Sequence, residues 1–399
     1  MEDTKSGSRW VVLGLLCLNL FFCFVGTQII PPLFSEIMKE IPLSAAQMGM
    51  VIGVIPLASL LFAPLGGGLS DKLGSRWVFA AGAVFVAVAG GLRYYSTSIF
   101  QFTACMFFIG AGIAIFTTLI PKVASTWFPP HQMAIANGIG MSSMQLGGAI
   151  GMALAVKVLA PTFGGWRGTT VAVAVASLAA GLIWAIFYRD RSVEGGGAPQ
   201  EANMSENFKK VMKVREVWLI AIVYGIFMID LMAIVTHLPL RLEQKGVANA
   251  GGYVGLWLMV AVVFNVVGGI LSDIFGKRKP FVVFTAIIFG LCIPTFIMVT
   301  GVPLIVSIII SGAAAGAAVP VIMTIPAEMK QVGPALAGTS MGLIFMLGNA
   351  GGFVGPVVAG MLMDAFPTPT PAFIFMGAAI IIGGLLALGL PETGQKRKA

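Results

Sequence analysis

Twelve stretches of mostly apolar residues follow one another along this chain, roughly at 10–31, 46–67, 77–95, 98–121, 132–158, 167–188, 216–239, 251–270, 281–300, 303–324, 335–363 and 371–390. A helix needs about 20 such residues to cross the hydrocarbon core of a bilayer. Only helices and closed barrels satisfy their backbone groups in lipid. The alternation of apolar and polar residues that marks a barrel strand is absent, so helices are expected. The composition agrees. Hydrophobic residues make up 58% of the 399 and charged residues 10%, where a soluble domain carries about 25% charged. Such a chain cannot cover a water-facing surface, and its solvent is a lipid bilayer. The expected class is all-α integral membrane, with twelve transmembrane helices.

The formal charge of +8 raises the question of nucleic acid, and the placement of the cations answers it. With the N-terminus in the cytoplasm, 18 of the 24 Lys and Arg fall on cytoplasmic loops and tails. The other six are Lys39, Arg93, Lys157, Arg167, Arg241 and Lys245. This is a positive-inside pattern. It puts both termini in the cytoplasm of a prokaryotic-type membrane and leaves no charge to explain by nucleic acid. The first apolar run is as long as a full span and is expected to stay in place. The four cysteines all lie inside spans without a CxxC spacing, and there are two histidines. Neither a metal site, a cofactor nor a nucleophile–base set is expected, so the chain does not read as an enzyme.

The longest polar stretch, 189–215, divides the spans six and six. It reads as a cytoplasmic linker between an N-terminal bundle, 1–188, and a C-terminal bundle, 216–399. The halves repeat. "GGGLSDKLGSRW" runs from Gly66 to Trp77 and "GGILSDIFGKRK" from Gly268 to Lys279. Asp71, Gly74 and Arg76 pair with Asp273, Gly276 and Arg278 at an offset of 202 residues, and "LGGAIG" (146–151) answers "AGGFVG" (350–355) at 204. A parallel repeat of six plus six spans is the signature of one large class of secondary transporter.

Across its whole length the chain resembles the major facilitator superfamily. The loop motif after span two, G-x-L-[SA]-D-[RK]-x-G-R-[RK], stands here as Gly67, Leu69, Ser70, Asp71, Lys72, Gly74 and Arg76, with Ser75 in place of the first Arg. Its copy after span eight keeps Gly269, Leu271, Ser272, Asp273, Gly276, Lys277 and Arg278, with Ile274 where a cation is usual. The resemblance implies two pseudo-symmetric six-helix bundles that rock about a central site, and a gating role for both motif copies. It places Asp71 near the start of span eleven, where a carboxylate is stabilising by roughly 0.3–1 kcal/mol. Lys72 and Arg76 would tie the loop down, although topology signalling alone also accounts for the cations.

Two further stretches resemble the small-anion branches of that superfamily, the organic anion and nitrate/nitrite carriers: "GNAGGFVGPVVAG" (348–360) and "IPKVASTWFPPHQMAIANGIG" (120–140). There are departures. Nitrate carriers place an Arg inside spans two and eight, and 46–67 and 251–270 hold none, which argues against nitrate. Met106 stands where drug–proton antiporters carry an Arg, and the Gly-Pro pair of their span five is missing, which argues against efflux.

Charge inside a membrane span is costly and is a functional hypothesis by default. Asp230 lies within span seven, His237 follows two helical turns later, and Tyr224 and Arg241 flank them. These four are candidates for substrate binding or proton coupling; a helix-to-helix hydrogen bond is the competing use. By resemblance spans one, four, seven and ten line the cavity, which makes Asn19, Gln28, Thr117 and Thr118 neutral candidates; Gln145, in span five, is a further polar candidate. Arg93, Lys157, Arg167 and Arg241 could form a positive external vestibule. Gly348, Asn349, Gly352, Gly355 and Pro356 are expected to let span eleven pack closely and bend. The reading is a monomeric secondary transporter moving a small organic anion with a proton. The alternatives are proton-coupled efflux of lipophilic or cationic compounds, and a non-transporting membrane sensor of the same fold.

Overall fold

The computed structural model describes residues 2–190, 204–329 and 331–393; at 2–8, 67, 71, 130, 131, 134, 204, 205, 333–335 and 337 it describes the backbone alone. The described residues form helices and connecting turns, with no strand. Among the described residues twelve helices are long and apolar enough to cross a membrane. They are α1 (Glu2–Gln28), α2 (Ala45–Leu73), α3 (Ser75–Leu92), α4 (Ile99–Trp127), α5 (Pro130–Leu154), α6 (Gly165–Phe187), α7 (Arg215–Gln244), α8 (Ala250–Phe275), α9 (Arg278–Met298), α10 (Val302–Glu328), α11 (Gly333–Ala365) and α12 (Thr370–Leu386). Each matches one apolar stretch of the sequence. Six of them, α1, α2, α4, α7, α8 and α10, run several residues past it at one end.

Local chemistry sets the ends. The Ser98 side chain accepts the Gln101 N–H at the start of α4, a standard use of serine. Pro303 and Pro371 sit in the first turns of α10 and α12, where a missing N–H costs nothing. Gly74 and Gly276 follow α2 and α8 with φ of 82° and 62°. Side chains rarely adopt that region, so both motif copies need glycine there.

By Cα proximity the chain forms two compact units: residues 1–43 with 54–197, and residues 44–53 with 198–399. The same pairings recur in each. In the first unit α1 packs on α5 and α6, and α3 on α4 and α6; in the second, α7 packs on α11 and α12, and α9 on α10 and α12. Glycines make the closest approaches. A Cβ at Gly147 or Gly151 would run into the backbone of Phe21 or Val25 on α1. Gly351 and Gly355, 204 residues on, meet Gly225 and Ile229 of α7 in the same way. Association of helices in lipid rests on such contacts, because the surroundings are as apolar as the side chains.

Candidate functional site

The most unusual side chain in the second unit is Asp230 of α7. It is fully buried, and neither carboxylate oxygen has a hydrogen-bond partner among the described residues. Buried polar groups are nearly always bonded, and an unpaired acidic group inside a membrane span costs more than one in water.

His237 is also buried. Its Nε2–H donates to the Pro356 carbonyl of α11 at 2.8 Å, while Nδ1 has no partner among the described residues. A carbonyl can only accept, so the bond selects the Nε2-protonated tautomer and leaves an open lone pair on Nδ1. Asp230 and His237 share α7 but make no bond with each other; they are two separate polar points about 10 Å apart along the helix. Tyr224 is buried one and a half turns before Asp230, with its ring edge-on to Phe345 and pressed against Gly348. The glycine therefore leaves the space that the tyrosine ring fills. Arg241 donates to Gln244 at 2.8 Å and lies within electrostatic range of Asp364.

The neutral candidates divide. Asn19 is buried and donates to Leu15 and Ala180 carbonyls at 2.9 and 3.0 Å, joining α1 to α6. Thr117 and Thr118 donate to Ala114 and Ile115 within their own helix, and Asn349 does the same to Phe345. These four act as structural ties in this conformation. Gln28 lies against Gly148 of α5, and Gln145 is half-buried on the same helix. Of the span-eleven set, Gly348, Gly355 and Pro356 make the contacts just described. Gly351, beside Gly352, also makes a close approach, against Gly225.

The vestibule expectation fails for two of its four cations. Arg167 pairs with Glu40 at 2.7 Å and also donates to the Tyr94 and Ser96 carbonyls, while Trp166 donates to the same Glu40. Arg93 points inward and is 1% exposed. Both are held by the protein because long cationic side chains near a helix end find carbonyls and carboxylates within reach.

The repeated motif is built around capping carboxylates that the sequence reading did not single out. Asp190, just after α6, accepts from the backbone N–H groups of Ser75 and Arg76 at the start of α3. Glu392, just after α12, accepts from those of Arg278 and Lys279 at the start of α9. The two acids stand at the repeat's own offset of 202 residues, which is the signal that would have found them. In the second copy Arg278 bridges Asp273 at 2.6 Å and Glu328 at 2.7 Å, and donates to Ser272 at 2.9 Å. In the first copy Arg76 donates to the Ala185 carbonyl and stacks beside Trp77, and Ser70 is met by Lys122 at 2.7 Å. Lys72 is exposed. The side-chain positions of Gly67 and Asp71 lie outside the described residues, as does Lys330. Gly269 has open space around it; the close approach is made by Gly268, against Ala317 of α10, and by its counterpart Gly66, against Thr118 and Ile115 of α4.

Asp364, at the end of α11, was also missed. Its two oxygens accept the Ala45 and Ala46 N–H groups at 2.9 Å each, a two-point cap on the start of α2.

Twelve apolar helices in two units with the same internal pairings define a multi-pass transporter fold. The sequence profile of the Major Facilitator Superfamily matches residues 16–263 and 248–399, and the chain belongs to that family. It is 24% identical to a Cupriavidus necator protein named "Probable sulfoacetate transporter SauU", over 96% of this chain and 93% of that one. It is 27% identical to the "Probable nitrate transporter NarT" of Staphylococcus carnosus, over 97% and 96% of the two chains. These relatives are transporters, not enzymes. In structure it matches a bacterial homolog of the human lysosomal transporter Spinster, in the inward-facing, unoccupied conformation. That match has a TM-score of 0.77 at 16% identity and covers 96% of this chain and 95% of that one. The occupied form of the same protein gives 0.75 at 15% identity, covering 95% and 94%.

Proposed function

We propose that this protein carries a small organic anion together with a proton across a cytoplasmic membrane. It does so as a monomer, with both termini in the cytoplasm. The bundles 1–188 and 216–399, joined by the linker 189–215, alternate access by rocking. The observation that carries the reading is Asp230: a buried carboxylate, in the middle of an apolar helix, with both oxygens unpartnered among the described residues. A group so costly to place is kept for what it does. Loading and releasing one proton there would tie each transport cycle to the proton gradient. His237, with Nδ1 open, is the second proton-accepting point on the same helix. Two relatives of nearly full length are named for small anions, sulfoacetate and nitrate, which supports the substrate class. The two motif copies and their caps act as conformational gates at the helix starts and do not touch cargo.

The test is uptake into proteoliposomes under an inward proton gradient, with labelled sulfoacetate, simple monocarboxylates and nitrate as the panel. Uptake of one or more that stops when the gradient is collapsed is the expected result. No uptake across the whole panel would sink the anion reading, and uptake unaffected by the gradient would sink the proton coupling.

A further inference from the structure

A short helix, Met204–Val211, precedes α7 in the second unit and packs on α11. Val211 is buried, but Phe208 and Met212 are 44% and 39% exposed. The Met212 N–H donates to the Phe208 carbonyl at 2.9 Å, so the helical turn runs on through residue 212. Residues four apart share a side of a helix, which makes Phe208 and Met212 one exposed apolar stripe. Lys209 and Lys213, the next residue in each case, make a basic stripe beside it, and both are exposed. The nearby acids do not neutralise it. Glu206 pairs with Lys210 at 2.8 Å. Lys209, Lys213 and Arg215 make no ion pair among the described residues, although Glu216 is next in the chain.

Trp218, in the first turn of α7, sets the depth of this helix. Its indole N–H donates to the Met212 carbonyl at 3.0 Å. Tryptophan gathers at the boundary between hydrocarbon and headgroups, and the apolar span of α7 begins at Arg215. The exposed stripe therefore lies at headgroup level, just before the span. An apolar stripe with lysines beside it is the pattern of a helix seated in a bilayer surface: the ring and the thioether enter the acyl boundary, and the lysine stems reach back to phosphate. Topology signalling requires only Lys or Arg somewhere in the loop; it does not require an exposed Phe on an ordered helix. The depth and the unpaired cations together favour lipid over a soluble protein.

We propose that the helix Met204–Val211 and the turn after it bind anionic phospholipid, with Phe208 and Met212 in the acyl boundary and Lys209, Lys213 and Arg215 on the headgroup phosphates. The lipid belongs to the cytoplasmic leaflet, an assignment that rests on the cytoplasmic linker proposed above. The occupant is the membrane's own lipid and not the transported anion, since a small carboxylate or sulfonate has no chain to cover Phe208 and Met212.

The test is hydrogen–deuterium exchange of the full chain in nanodiscs of phosphatidylcholine, with and without phosphatidylglycerol. Phosphatidylglycerol slows exchange of the amides of 206–213 by about fivefold or more, the factor for one lysine at an anionic surface. Lys209→Gln combined with Lys213→Gln loses most of that slowing, and Phe208→Ser loses part of it with every cation still in place. All three residues are exposed, so the variants fold. Equal exchange in the two lipids would overturn the proposal, as would slowing of equal size in the wild type and the double lysine variant. Slowing untouched by Phe208→Ser would mean diffuse charge attraction alone and would also overturn it. Slowing that appears only when soluble cytoplasmic protein is added would assign the stripe to a protein partner, against the proposal. Nanodiscs present both membrane faces and the readout involves no transport, so failure of this inference is distinguishable from failure of the transport reading or of the proposed orientation.

Discussion

Asp190 and Glu392 do the same work 202 residues apart: each carboxylate, just beyond the last span of its half, accepts from the first two backbone N–H groups of the helix that follows the loop motif. The first turn of a helix presents N–H groups without partners and a partial positive charge. A carboxylate placed there fastens one hairpin end to another in each half.

Asp190→Ala and Glu392→Ala should each lower stability by ~1 kcal/mol, within the range for a lost N-cap. The double variant should show the sum, since the caps share no partner. Thermal unfolding in detergent checks both. A strongly non-additive double variant would mean that the caps are coupled.

Arg278→Lys should be almost as damaging as Arg278→Ala. The planar guanidinium reaches Asp273, Glu328 and Ser272 together, and an ammonium cannot reproduce that fork. Glu328→Gln added to Arg278→Ala should recover part of the loss, because it removes the charge left unpaired. A double-mutant cycle measures the recovery.

Gly355→Ala should destabilise the chain by ~1–3 kcal/mol, the usual cost of overpacking, because its Cβ would enter the Ile229 backbone. Gly269→Ala, in the motif but with nothing near it, should be neutral or stabilising by up to ~1 kcal/mol from helix propensity. Equal effects at the two sites would show that backbone approach does not govern this packing.

Asp230→Asn should abolish accumulation driven by a proton gradient while leaving exchange of labelled for unlabelled solute across the membrane. It should not lower the Tm, since no hydrogen bond to the carboxylate is lost. Unchanged gradient-driven uptake would remove Asp230 from the coupling role.

Much of the candidate site was legible in the sequence. Asp230 stood out because a charge in an apolar run is visible without any structure, and His237 followed from its spacing. That His237 bonds to the Pro356 carbonyl of α11 was not legible, because the acceptor lies 119 residues away on another helix. Asn19, Thr117 and Thr118 look alike in sequence as cavity ligands; their bonds to carbonyls are set by helix neighbours and backbone geometry that composition does not carry. Arg93 and Arg167 seemed equivalent external cations, yet one is buried in its bundle and the other is paired with Glu40.

The sequence by itself determined the twelve spans, the six-plus-six repeat and the membrane as solvent. These follow from the length of apolar runs and from spacing along the chain, both local properties. Only the tertiary structure decided that Gly351 meets Gly225, that Gly268 and not Gly269 meets a neighbouring helix, that Asp190, Glu392 and Asp364 are caps, and that Arg93 is buried in its bundle. Each depends on the rotation of a helix about its axis and on partners tens to hundreds of residues away. A one-residue change rotates a side chain by about 100°, so the apolar pattern that places a helix in the membrane leaves open which of its faces meets which neighbour.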